Sequence, residues 1–148
     1  MEIFNVEEKT ISGFSIRTSN AKEFNSATAQ IGKLFQRFDK SVAVDYKGGA
    51  REFSVYFNYE SDVSGAYSVL MGADKIVSST EELASITIPA GKYLKFSANG
   101  DIPKIVIDTW SQIWKYFSSP DVPHQRAYTI DFEYYKSQHE VEIYIAIK

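Results

Sequence analysis

Hydrophobic residues in the first half of the chain recur with two different periods. β-Branched and aromatic residues over positions 3–18 predict one interrupted β-strand. Apolar residues at helical spacing then predict an amphipathic helix of about four turns, with Asn20 or Asn25 as its N-cap. Three strands follow, of which Gly72 ends the last, and the polar stretch Lys75–Ser85 is predicted to be a connection. The helix is defined by Ala27, Ile31, Leu34, Phe35 and Phe38, and the strands by Val42–Tyr46, Glu52–Tyr59 and Tyr67–Met71.

The second half of the chain repeats this order. Strands on both sides of the turn Pro89–Gly91 are followed by Pro103, which suits the first turn of a helix because no N–H is needed there. An apolar helical face comes next, and Pro120 and Pro123 end the helix. The polar turn Lys136–His139 joins two final strands. The strands are Ile86–Ile88, Lys92–Ala98, Ala127–Tyr135 and Glu140–Ile147, and the helical face is Val106, Trp110, Ile113, Trp114 and Phe117.

The repeated order predicts an α+β fold made of two β-α-β-β units. Tyr56–Glu60 and Asp131–Tyr135 take equivalent places after their helices, which favours a pseudo-two-fold relation. Such units would pack an antiparallel sheet against two main helices and leave a central cleft, where ligand sites are common. Without a linker or a break in composition, residues 1–148 are predicted to form one domain, with the repeat over roughly 1–80 and 81–148.

Composition and charge narrow the classes of function. The chain has no cysteine, which excludes disulfides, thiol catalysis and cysteine zinc sites, and His124 and His139 stand alone, so neither a metal nor a cofactor is predicted. The net charge is -3 and no Lys/Arg cluster forms a basic footprint, so direct nucleic-acid binding is not expected. No segment approaches the roughly 20 apolar residues of a membrane span, and the acidic start is not a signal peptide. A cytoplasmic location is therefore expected.

Aromatic residues are abundant, at 15% of the chain, with ten Tyr, ten Phe and two Trp. A sheet-rich core accounts for the Phe residues, since aromatics suit half-buried pleated surfaces. It explains the Tyr residues less well, because each buried hydroxyl needs a hydrogen-bond partner. The excess of tyrosine therefore points to a polar but enclosed surface.

Glu133 is the most informative single position. Strand alternation puts Phe132 and Tyr134 on one face and Asp131, Glu133 and Tyr135 on the other. A carboxylate among rings is costly unless its pKa rises or it finds a counter-charge. A cationic ligand would supply that charge, with cation–π contacts of roughly 0.5–2 kcal/mol each. The alternative is a hydrated sheet face, on which Asp131 and Glu133 would be ordinary exposed acids or a carboxylate pair for acid–base chemistry.

The walls of such a pocket would be aromatic. Trp110 and Trp114 are four residues apart on the second helix and share one face, although either could belong to the core. Alternation in the last strand places Tyr144 with Glu142 on the same mixed face as Glu133. No residue is predicted to be catalytic. The predicted ligand-binding set is Glu133, Trp110, Trp114, Tyr135, Tyr144, Tyr56 and Tyr59.

The chain resembles the gyrase-inhibitor-like family, also called the bacterial transcription-activator effector-binding domain. The resemblance covers essentially the whole chain. It rests on four ordered segments, of which no single one is very specific. They are QIGKLFQRF, VYFNYESDVSGAYSVLMG, IPAGKYLKF, and the end VIDTWSQIWKYF with AYTIDFEYYKSQHEVEIYIAIK.

The resemblance implies the duplicated fold and recognition of lipophilic cationic drugs by a buried glutamate among aromatic rings. The family's F-E-x-Y pattern falls on Phe132, Glu133 and Tyr135. Trp114 matches the usual tryptophan of the second helix, whereas Phe35 stands where the family often has tryptophan. No helix-turn-helix region precedes these segments, so the chain looks like a stand-alone version, similar to drug-binding proteins of mobile gene cassettes. A partner protein would then have to supply any DNA binding.

Three functions remain open at this level. The first is a small-molecule binding module that acts as a sensor or a sequestering protein. The second is a hydrolase of small electrophilic compounds with Glu133 as its base, as implied by some relatives of the fold. The third is a protein-interaction module, as in the gyrase inhibitors. The lack of His and Cys motifs makes the hydrolase less favoured than binding.

Overall fold

The computed structural model describes all residues, Met1 to Lys148. The fold is α+β, as predicted, with one eight-stranded antiparallel sheet, a second sheet of two strands, three α-helices and a 3-10 helix at Tyr46–Gly48. The strands are β1 (Glu2–Val6), β2 (Lys9–Ser19), β3 (Val42–Val44), β4 (Glu52–Phe57), β5 (Ala66–Ala73), β6 (Ile76–Ser79), β7 (Ala84–Ile88), β8 (Gly91–Asn99), β9 (Ile130–Ser137) and β10 (Glu140–Ala146). The helices are α1 (Asn20–Glu23), α2 (Ile31–Ser41) and α3 (Lys104–Ser118).

The strand order of the large sheet confirms the duplicated β-α-β-β arrangement. The order is β1-β8-β10-β9-β4-β5-β2-β7, so the two units meet where β4 pairs with β9. On either side of this seam β5 and β10 take matching positions, followed by β2 and β8. The first strand of each half crosses over to the other half, since β1 pairs with β8 and β7 pairs with β2.

Two short connections force the large sheet to curl. Only Glu7 and Glu8 join β1 to β2, yet these strands lie first and seventh in the sheet. Only Pro89 and Ala90 join β7 to β8, which lie eighth and second. A link of this length reaches about 10 Å at most, so the two ends of the sheet must approach each other. The face inside the curl carries its own core, which includes Ile11, Phe53, Val55, Leu70, Ile88, Tyr93, Phe132 and Tyr144.

The two main helices cover the other face of the sheet and leave its centre open. α2 buries Leu34 and Phe38 against β2 and β5, whereas α3 buries Thr109 and Ile113 against β8 and β10. The central strands β4 and β9 therefore lie between the helices. None of the helices has the length and apolar character that crossing a membrane requires.

The start of the first main helix differs from the prediction. α2 begins at Ile31 instead of near Ala27, because the carboxylate of Glu23 accepts the backbone N–H groups of Gln30 and Ile31 at 3.0–3.1 Å. Asn20 opens the separate short helix α1, and Asn25 accepts the N–H of Ala27 in a turn, so neither residue caps α2. A glutamate seven or eight positions upstream is not part of the usual N-cap sequence pattern, so the sequence does not indicate this helix start.

Three strand assignments also need correction. The predicted strand over residues 3–18 is two strands, β1 and β2, which pair with different partners. Gly72 does not end β5 but lies inside it opposite Gly13, where a Cβ on Gly72 would stand 2.2 Å from the Ser12 carbonyl oxygen. The stretch Lys75–Ser85 is not a plain connection, because it contains β6, which pairs with β3, and the start of β7.

Candidate functional site

A cavity of about 610 Å³ lies between α2 and α3, over the central strands of the large sheet. Its volume falls within the range usual for small-molecule sites. Most of its wall is apolar, and three charged residues also line it, Glu23, Arg126 and Glu133. The aromatic residues of the wall come from both halves of the chain. They are Phe24, Phe35, Tyr56, Tyr59, Tyr67, Trp110, Trp114 and Tyr135.

Glu133 lies on β9 with its side chain directed to the helix side of the sheet, and only 1% of the residue is exposed. Its Oε2 accepts hydrogen bonds from the Tyr56 hydroxyl at 2.7 Å and from Trp110 Nε1 at 2.6 Å. Its Oε1 accepts a hydrogen bond from the Tyr135 hydroxyl. Ser54 lies opposite Glu133 on β4 and its hydroxyl is 3.1 Å from that of Tyr135. Three donors from three elements therefore hold the carboxylate in place.

The electrostatics of Glu133 follow from this enclosure. Burial raises the pKa of Glu133 above that of an ordinary glutamate, while the hydrogen bonds from Tyr135, Trp110 and Tyr56 oppose the rise. Burial and the nearby carboxylate of Glu133 likewise raise the pKa of Tyr56 and of Tyr135 well above that of free tyrosine. The two hydroxyls therefore remain protonated and available as donors. No Lys, Arg or His side chain forms an ion pair with Glu133.

Asp131, on the same face of β9, is neutralised within the protein. Its residue exposure is 0%, and its Oδ2 accepts hydrogen bonds from Arg126 Nη2 at 2.7 Å and from the Tyr59 hydroxyl. Its Oδ1 accepts the backbone N–H of Ala146 at 2.8 Å. Asp131 and Glu133 therefore differ in environment, since Asp131 is paired with arginine and Glu133 has no cationic partner.

The two tryptophans continue the aromatic wall from the floor of the cavity to its mouth. The rings of Trp110 and Trp114 have centroids 6.0 Å apart, and Tyr56 meets Trp110 edge-on at 5.4 Å. At the mouth, Phe24 contacts Trp114 edge-on at 5.7 Å although 72% of Phe24 is exposed. The exposed ring of Phe24 is therefore accessible to a ligand at the mouth of the cavity.

Six of the seven residues predicted to bind ligand line this cavity, and Tyr144 does not. The register of β9 and β10 pairs Ile143 with Glu133 and Tyr144 with Phe132, so Tyr144 lies on the face inside the curl. There its ring stacks on Phe132 at 4.6 Å and its hydroxyl donates to Glu142 at 3.0 Å. Placing Tyr144 in the pocket wall was wrong because alternation within one strand does not give its register with the next.

Sequence reasoning missed several residues that line the cavity. Glu23 is the last residue of α1, Phe24 follows it directly, and Tyr67 comes from β5. Arg126 is the most important omission, because it brings a cation into the wall. One signal could have found it, since a second acid, Asp131, on the face of Glu133 would require a counter-charge when buried.

Comparisons with known proteins agree with this fold along its whole length. A model of the Cass2 family, described as integron-associated effector binding protein, matches residues 2–147. YobU of Bacillus subtilis (strain 168), whose name places it among transcriptional regulators, is 31% identical over 160 aligned positions, covering 99% of this chain and 96% of YobU.

Solved structures give the same result. The integron cassette protein VCH_CASS2, from the mobile metagenome of Vibrio cholerae, is 40% identical with a TM-score of 0.88, and the match covers 99% of this chain and 95% of that one. The structure of SAV2435 bound to tetraphenylphosphonium has the same fold, with a TM-score of 0.66 and 18% identity over 99% of this chain and 93% of SAV2435. The chain thus belongs to the Cass2 family of integron-associated effector binding proteins.

Proposed function

We propose that the protein binds small, lipophilic, cationic aromatic compounds in the cavity between α2 and α3, as an effector sensor or a sequestering protein. The observation that carries this proposal is Glu133. It is a buried carboxylate, held by three neutral donors and without a cation of the protein to pair with it. The negative charge therefore remains available to a guest.

The aromatic wall suits the same class of compound. Flat or propeller-shaped aryl groups gain apolar contact with the rings around Glu133, and a delocalised cation also gains cation–π contacts with them. A lipophilic cation is weakly hydrated, so it loses little on entering a cavity of this kind. Three or four such contacts together with apolar burial support affinity in the micromolar range, about -8 kcal/mol.

The wider fold family supports this choice of ligand class. SAV2435 shares the fold and is bound to tetraphenylphosphonium, which is a lipophilic aromatic cation. In this chain the same role would fall to the cavity that contains Glu133. Any influence on transcription would then be exercised through a DNA-binding partner protein that responds to the occupied state.

The hydrolase alternative gains less support from the geometry. Both oxygens of the Glu133 carboxylate already accept hydrogen bonds from Tyr56, Trp110 and Tyr135. Burial raises the pKa of Glu133, which would suit a general base, but these donors would have to release the carboxylate before it could accept a proton from a substrate. If the wild-type protein turned over a bound compound and Glu133→Gln did not, the hydrolase alternative would be supported instead.

Tryptophan fluorescence tests the proposal directly, because Trp110 and Trp114 both line the cavity. Tetraphenylphosphonium should quench the emission saturably, with inner-filter effects corrected against N-acetyltryptophanamide. The shape-matched pair N-methylquinolinium and 1-methylnaphthalene then isolates charge, and the cation should bind at least tenfold tighter. Equal affinity for the two compounds, or an absence of saturable quenching by all three, would contradict the proposal.

A further inference from the structure

Arg126 is a buried cation in the wall of the same cavity. Its side chain is 4% exposed, and its guanidinium carbon lies 5.8 Å from the ring centroid of Trp110 and 5.9 Å from that of Tyr59. A third ring, Tyr128, lies 4.4 Å away. The position of Arg126 is therefore set by rings on several sides and by the ion pair with Asp131.

The guanidinium has hydrogen-bonding capacity that the protein does not use. Its hydrogen bond to protein comes from Nη2, which donates to Asp131, whereas Nε is buried and has no partner. Buried polar groups are nearly always paired, since an unpaired donor costs about 1–3 kcal/mol. Nη1 also makes no hydrogen bond to the protein, and because Arg126 lines the cavity, this group can donate to an acceptor that enters it.

Arg126 also lines a second, smaller cavity of about 360 Å³, and therefore borders both cavities. The wall of the second cavity includes His124 and Lys148 but no aspartate or glutamate. The surroundings of Arg126 on that side thus favour an electron-rich group over a second cation.

We propose that Arg126 is a second polar anchor, which donates hydrogen bonds to a carbonyl or carboxylate on the aromatic framework of the effector. This inference rests on the proposed function and narrows its ligand class to aromatic cations that also carry an acceptor. Glu133 would be the first anchor, and Trp110 lies between it and Arg126. The Nε1 of Trp110 donates to Glu133, and its ring lies beside Arg126. A framework of one or two fused rings stacked on this indole would offer its cation to Glu133 and its acceptor to Arg126.

The experiment compares ligands that differ only in the acceptor. N-Methylquinolinium and its derivatives with a carboxamide or a carboxylate at each available ring position are titrated by calorimetry. At least one substituted compound should bind the wild-type protein about tenfold tighter than the parent cation. The carboxamide and carboxylate arms distinguish a neutral acceptor from a charged one. If no substituted compound exceeds the parent, the inference is wrong.

Variants of the anchor complete the test. In Arg126→Lys the charge beside Asp131 is kept while Nε and the planar fork are lost, so the ratio of substituted to parent affinity should fall to near one. The double variant R126Q/D131N removes both charges of the pair together and should give the same loss of ratio. A ratio that stays at about ten in either variant overturns the role of Arg126. Failure of the parent cation to bind tighter than 1-methylnaphthalene would instead refute the proposed function.

Discussion

Replacement of Glu133 by glutamine removes one negative charge from the floor of the cavity and changes almost nothing in volume. The amide keeps one acceptor oxygen, but its NH2 group then faces donors that the carboxylate had satisfied. The hydroxyls of Tyr56 and Tyr135 can rotate to accept from this NH2, whereas Trp110 Nε1 can only donate. The change therefore tests the charge while the wall of rings is retained.

The size of the expected effect follows from Coulomb's law. A cation resting against the rings would lie about 5 Å from the carboxylate, where two unit charges interact by about 3 kcal/mol at an effective dielectric constant of about 20. Part of this Coulomb energy is offset by the cost of moving the cation out of water. The affinity of tetraphenylphosphonium should therefore fall by about 10- to 100-fold in Glu133→Gln. A neutral guest has no such term, and 1-methylnaphthalene should bind the variant and the wild type alike.

Calorimetric titration of tetraphenylphosphonium, N-methylquinolinium and 1-methylnaphthalene into both proteins measures this difference. Glu142→Gln is the matched control, because it removes the same charge from the neighbouring strand, where Glu142 accepts from Tyr144 outside the cavity. The reasoning is refuted if Glu133→Gln keeps the preference for cations. It is refuted equally if Glu142→Gln loses as much affinity, since overall charge would then be responsible.

Two further predictions concern stability. Burial raises the pKa of Glu133 in the folded state, so the folded protein binds this proton more tightly than the unfolded chain does. The protonated Glu133 therefore contributes stability at low pH. This contribution is lost as pH rises from about 4.3, the ordinary glutamate pKa, through the raised pKa of the folded state. The free energy of unfolding of the wild type minus that of Glu133→Gln, from urea titrations, should thus be larger at pH 4.5 than at pH 8, and a difference that grows with pH would contradict this. Gly72→Ala should destabilise the protein by about 2 kcal/mol or more, because its Cβ would stand 2.2 Å from the Ser12 carbonyl oxygen. Gly32→Ala, in α2 with nothing within 4 Å of the added Cβ, should instead stabilise by up to about 1 kcal/mol, and an equal loss in both variants would show that close approach is not the cause.

The sequence by itself determined what depends on neighbours along the chain. Helical spacing identified α2 and α3, alternation identified most strands, and their repeated order predicted the duplicated α+β fold. It also put Glu133 and Tyr135 on one face of β9 and the two tryptophans on one face of α3. These inferences succeed because the period of an element directs its side chains wherever the element packs.

Only the tertiary structure decided which of these faces meet. Tyr56 and Glu133 are 77 positions apart, and the pairing of β4 with β9 brings the hydroxyl to the carboxylate. The register of β9 with β10 sends Tyr144 into the opposite core, and the curl of the sheet buries that second face as well. Arg126 lies outside both helix and strand, so no period predicts its direction, and its position depends on the ion pair with Asp131 and on rings from other segments. Contacts between distant segments carry no periodic signal, because they are set by how whole elements pack.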